Sequence, residues 1–107
     1  MKFRVEQTAR ADGTCVAVAG EVDAHTAPQM KAALLEAVSR HQRVTVDLAA
    51  VTFMDSQGLA ALLRARQEAE SRGGNVRLER VPTRVLKLLR ITALESVFII
   101  DSVLPGG

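Results

Sequence analysis

In Val51-Thr52-Phe53-Met54-Asp55-Ser56-Gln57-Gly58-Leu59 a strand ends, a short loop follows, and a polar Asp-Ser pair stands where a helix begins. Either Asp55 or Ser56 can serve as the N-cap, accepting from the N–H groups that a first helical turn leaves without partners, an effect worth about 1 kcal/mol. The same place suits phosphate. Free N–H donors and the positive end of the helix dipole favour an anion, so a phosphoryl group on Ser56 is expected to be tolerated without unfolding. A phosphoserine adds about −1.5 to −2 charge together with acceptor oxygens, enough to repel a partner surface while the fold stays intact.

Other chemistries fit the residues less well. A nucleophilic serine on the Gly-x-Ser-x-Gly elbow needs glycine two positions earlier, and Met54 stands there, so no catalytic residue is expected. Gly73-Gly74 lacks the spacing and the Lys-Ser/Thr ending of a phosphate-cradling loop, which leaves a turn, no nucleotide site and no cofactor. Neither His25 nor His41 has a cysteine or carboxylate at metal-ligand spacing, and no metal site is expected. The single cysteine, Cys15, excludes an internal disulfide and reads as a small buried apolar residue.

The elements that must position Asp55 and Ser56 follow from periodicity. Phe3 and Val5 alternate with Arg4 and Glu6, and Val16 and Val18 with Ala17 and Ala19. These are two short strands split by the Ala11-Asp12-Gly13 turn signal, a hairpin. Thr26 and Gln29 have capping-box spacing, and Met30, Ala33, Leu34, Ala37 and Val38 follow helical spacing, so a first helix is expected from about Ala27 to Ser39. Val44 to Leu48 suits a central strand with both faces partly covered. From Asp55 onward, Leu59, Leu62 and Leu63 mark one face of a second helix that stops at Gly73-Gly74-Asn75. Val76 to Glu79 alternates as a strand, and Pro82 can occupy a first helical turn. Val85, Leu88, Leu89 and Thr92 then repeat at helical spacing, and Val97-Phe98-Ile99-Ile100 reads as a final strand. The order β-β-α-β-α-β-α-β predicts an α/β fold: a single domain over residues 1–107 with a mixed, largely parallel sheet of about five strands and three to four helices.

Composition narrows the function classes. With 107 residues and 48% hydrophobic side chains the chain can bury one economical core. A formal charge of +2 and three Phe as the only aromatic residues leave little to stack on nucleobases, so no nucleic-acid partner is expected. Met1 to Arg10 alternates charged and apolar residues rather than forming a signal peptide, and no run is long enough to span a bilayer. A soluble, cytoplasmic protein without direct membrane insertion is expected. Between Leu62 and Thr92 eight basic residues face three acidic ones, a local +5, which is either solvated helix surface or a face that steers an acidic partner.

Two motifs carry a family resemblance. One is Gly20-Glu21-Val22-Asp23 followed by Thr26-Ala27-Pro28; the other is Asp47-Leu48, then Val51, then Phe53-Met54-Asp55-Ser56-Gln57-Gly58-Leu59. With Val81-Pro82, Val85, Leu89 and Ile91-Thr92-Ala93-Leu94, the chain resembles the STAS-domain anti-sigma factor antagonists of bacteria over nearly all of its length. The resemblance implies a STAS-like domain in which Ser56 is phosphorylated by an anti-sigma factor that is also a serine kinase of the histidine-kinase-like ATPase fold. It further implies that the unphosphorylated form binds that kinase and frees its target, and that a PP2C-type phosphatase restores the antagonist. The implied partner-binding set is Asp23, Thr26, Met54, Asp55, Gln57, Gly58 and Leu59. For Asp23 and Asp55, kinase recognition and local hydrogen bonding both remain open, as do partner approach and helix packing for Gly58. Val81 stands where the family often has serine, and Ala93 where glycine is common in the turn after the third helix. The resemblance is shared by STAS subunits of lipid-transporting ABC complexes, where the same loop contacts an ATPase without phosphorylation, and by stressosome-type scaffold components.

Overall fold

A computed structural model describes residues 2–105. Its elements are β1 (Arg4–Arg10), β2 (Gly13–Val22), α1 (Ala27–Arg40), β3 (Arg43–Met54), α2 (Ser56–Ser71), β4 (Asn75–Glu79), α3 (Thr83–Ile91) and β5 (Ile99–Ile100). The five strands form one mixed sheet in the order β1-β2-β3-β4-β5. The β1–β2 hairpin is antiparallel, and β2, β3, β4 and β5 pair in parallel, as strands joined through helices must. The α/β class, the element order and the strand number agree with the sequence reading. Among the described residues no helix is long and apolar enough to cross a membrane.

Alternation sorts each strand into two faces. Val16 and Val18 of β2, Val44, Val46 and Leu48 of β3, and Val76 and Leu78 of β4 are buried in one core with Met30, Leu34 and Ala37 of α1 and Leu62 and Ala65 of α2. On α2 the buried face is completed by Ala61, Ala65 and Ala69, small residues at four-residue spacing that extend the Leu59–Leu62 stripe. Leu63 lies half-buried beside that stripe.

Three departures from the sequence reading have physical causes. First, β3 does not stop at Leu48 but runs on to Met54. Its register against β2 slips between Ala17 and Ala19 and again between Gly20 and Glu21, each time with one extra residue on β3. These bulges break the alternation that marks a strand in sequence, and they leave Val51 and Met54, three residues apart, both buried. Second, the last strand is only Ile99–Ile100. The N–H groups of Val97 and Phe98 turn back to the Leu94 carbonyl, and Phe98 fills the core instead of joining the ladder. Third, Pro82 sits one residue outside α3 as its N-cap, and Thr92 lies at the C-cap. Its hydroxyl donates to the Leu88 carbonyl at 2.8 Å rather than facing the core.

Candidate functional site at the start of the second helix

The end of β3 delivers the Asp-Ser pair to the helix start with no intervening loop. Asp55 is extended (φ −111°, ψ −170°), and its N–H donates to the Val22 carbonyl at 3.1 Å, which ties it to the end of β2. Its carboxylate oxygen Oδ1 accepts from the N–H groups of Gln57 at 2.8 Å and Gly58 at 3.4 Å. Asp55 is therefore the N-cap and Ser56 the first helical residue. Two of the N–H donors expected to favour an anion, those of Gln57 and Gly58, are thus already held by the Asp55 carboxylate. The Ser56 side chain is exposed, and among the described residues its hydroxyl has no hydrogen-bond partner.

The neighbouring loop comes from the end of β2, where Val22 pairs with Met54. Asp23 Oδ1 accepts from the N–H groups of His25 at 2.9 Å and Thr26 at 3.1 Å, and the Thr26 N–H holds the Asp23 carboxyl below the usual carboxylate range. The Thr26 hydroxyl donates to the Glu21 carbonyl at 2.7 Å and accepts from the Asp23 N–H at 3.0 Å. The expected capping box at Thr26 and Gln29 does not form: Thr26 makes no side-chain cap, because its hydroxyl is spent on the strand end behind it.

The residues expected to meet a partner separate by burial. Ser56 and Gln57 are exposed, whereas Asp23, Thr26 and Asp55 are half-buried. Met54, Gly58 and Leu59 point into the protein. A Cβ on Gly58 would lie 2.6 Å from Met54 Cγ and 2.9 Å from Val22 Cγ1. Of the two explanations left open for Gly58, helix packing is the one this geometry supports.

Beside Gln57 a groove of about 230 Å³ runs between the two helices, with Ala24, Pro28 and Lys31 on one bank and Gln57, Ala60 and Arg64 on the other. Phe53, 46% exposed, stands near the end of β3, two residues before Asp55. Sequence reasoning missed the groove: Gln57, Ala60 and Arg64 share one face of α2 at helical spacing, but the opposite bank depends on how two helices meet.

The sheet face opposite the core carries ion pairs. Cys15, Asp47 and Glu79 bring their ligand atoms within 4.8 Å of one another, one grouping of metal-type side chains among the described residues. Both carboxylates are already engaged: Arg10 grips Glu79 at 2.7 and 3.0 Å, and Arg80 grips Asp47. Guanidinium groups there supply the positive charge a cation would otherwise bring, and burial pushes the Cys15 thiol up, away from the thiolate a metal requires. The basic stretch resolves the same way. Arg64 and Arg72 pair with Glu68, Arg66 with Glu70, Arg77 with Asp101, Arg80 with Asp47 and Arg90 with Glu95. Three acids from outside the stretch, Asp47, Glu95 and Asp101, thus offset part of the local excess, while among the described residues Arg84 and Lys87 form no ion pair.

Residues 5–103 match the family model described as Mlab, STAS domain. The chain belongs to the STAS domain family. It is 27% identical over 107 residues to the anti-sigma-B factor antagonist of Bacillus subtilis, covering all of this chain and 98% of the relative. It is 36% identical over 87 residues to the anti-sigma-B factor antagonist of Listeria monocytogenes, covering 80% of this STAS chain and 76% of the relative. Among solved structures it shares its fold with the phosphorylated form of the Bacillus cell fate determinant SpoIIAA. That match has a TM-score of 0.70 at 20% identity and covers 94% of this chain and 91% of that one.

Proposed function

We propose that this STAS protein is an anti-sigma factor antagonist switched by phosphorylation at Ser56. The unphosphorylated chain binds an anti-sigma factor that is also a serine kinase of the histidine-kinase-like ATPase fold and releases that factor's target. Phosphorylation ends the complex, and a PP2C-type phosphatase restores it. Ser56 is substrate, not catalyst. The supporting observation is the exposed Ser56 hydroxyl at the first position of α2, without a hydrogen-bond partner among the described residues, in a chain that aligns end to end with an anti-sigma-B factor antagonist. Because the Asp55 carboxylate caps the same helix start, holding the Gln57 and Gly58 N–H groups, a phosphate on Ser56 faces the partner beside a second negative charge, and a docked surface would have to desolvate both. Gln57 and the groove bank it opens extend the contact surface, with Asp23 and Thr26 fixing the adjacent loop. The reading carries with it a cytoplasmic location and no nucleic-acid partner.

Capture from a host lysate with wild type, Ser56→Ala and Ser56→Asp as baits tests it. A kinase-type ATPase held by wild type and Ser56→Ala and lost with Ser56→Asp supports the switch. An ABC transporter ATPase held equally by all three makes Ser56 a helix residue without a switching role and overturns it.

A further inference from the structure

We propose that the free edge of β1 pairs antiparallel with β1 of a second copy of this chain, about a two-fold axis at Val5, so that Arg4 of each copy faces Glu6 of the other. β1 is the outermost strand of the sheet, bonded on one side only. Arg10 and Gly13 close a two-residue turn, so Arg10, Thr8, Glu6 and Arg4 direct their backbone groups toward β2. The Thr8 carbonyl, which accepts from the Thr14 hydroxyl of β2 at 3.2 Å, has that orientation. The N–H and C=O groups of Val5 and Gln7 therefore face outward, a template for another strand.

Both faces of β1 favour the same occupant. On the helix side Phe3 and Val5 pack against the core yet stay half-buried, and a second β1 would set Val5 against Val5 and Gln7 beside Phe3. On the opposite side Arg4 and Glu6 are exposed and, among the described residues, take part in none of the ion pairs that tie up Arg10, Arg43, Arg77 and Arg80. Opposite charges directly across an antiparallel pair stabilise it, and like charges there destabilise it. Moving the axis by one residue sets Arg4 against Arg4 or Glu6 against Glu6. Moving it to Gln7 sets Arg4 against Arg10, and moving it to Thr8 calls on Arg10, already committed to Glu79. The charge pattern thus selects the Val5 register. The contact leaves Ser56 free, since β3 lies two strands in from this edge.

Sedimentation velocity over a concentration series in low salt tests the pairing. The wild-type chain should show a reversible shift from the 11.5 kDa monomer to twice that mass. Arg4→Glu or Glu6→Arg alone places like charges opposite one another and should weaken the dimer about tenfold. The double swap Arg4→Glu with Glu6→Arg should restore it. Val5→Pro removes an outward N–H that the β1–β2 ladder does not use and should abolish the dimer while circular dichroism stays unchanged. A chain monomeric at every concentration, single swaps without effect, or a double swap that fails to rescue would overturn the proposal.

Discussion

Both α1 and α2 begin where a parallel strand ends, and each start carries an aspartate with a hydroxyl residue after it, yet the two helix starts do opposite things with that hydroxyl. At α1, Thr26 spends its oxygen on the Glu21 carbonyl and the Asp23 N–H, and Asp23 spends its carboxylate on the same loop. At α2, Asp55 supplies the side-chain cap, and the Ser56 hydroxyl is exposed with no hydrogen-bond partner among the described residues. The start of α1 is a closed knot that fixes the end of β2 to the helix. The start of α2 is a presented hydroxyl held on a rigid base. Residue types alone do not separate these roles; which oxygen is already occupied does.

The sharpest way to separate the two helix starts is to offer them to the kinase. With the partner kinase and ATP, mass spectrometry should find phosphate on Ser56 and none on Thr26; modification at Thr26 would dissolve the distinction. Next in size is Gly58→Ala. The new methyl meets Met54 and the fully buried Val22, so it should cost about 2 kcal/mol in denaturant unfolding and tilt the first turn of α2, with the first turn of α1 unaffected.

Smaller effects distinguish the caps themselves. Asp55→Ala frees the Gln57 and Gly58 N–H groups and should cost about 1 kcal/mol. Thr26→Val strips partners from Asp23 and Glu21 and should cost about the same, whereas Ser56→Ala should leave the unfolding midpoint where it was. A Ser56→Ala loss as large as that of Thr26→Val would show that the Ser56 hydroxyl is structural after all. The smallest expected change is a gain elsewhere: Ala93 adopts φ +60°, and Ala93→Gly should stabilise the turn after α3 by about 0.5 kcal/mol in thermal unfolding.

How much of this was legible depended on the range over which each feature is decided. The hairpin, the helices and the parallel core strands are local periodicities, and the sequence displays them. Ala93 was visible as a residue in a glycine's place, and its left-handed backbone is the physical reason. The Asp55-Ser56 boundary was readable as a polar pair after an apolar run, but which of the two caps was not, because the answer lies in a backbone angle. The extension of β3 to Met54 was hidden by two bulges that shift the inward-facing positions. The inward turn of Gly58 depends on Val22, far away in sequence, and the basic stretch looked like a surface because its acidic partners Asp47, Glu95 and Asp101 lie outside it.

On the proposed switch, a phosphoryl group on Ser56 turns a binding surface off while leaving the fold in place. Titration calorimetry of the purified kinase partner with the unphosphorylated and the fully Ser56-phosphorylated chain measures it directly. The phosphorylated form should bind at least about 100-fold more weakly, a difference of about 2.7 kcal/mol, with both forms unfolding at the same temperature. Equal affinities would contradict it.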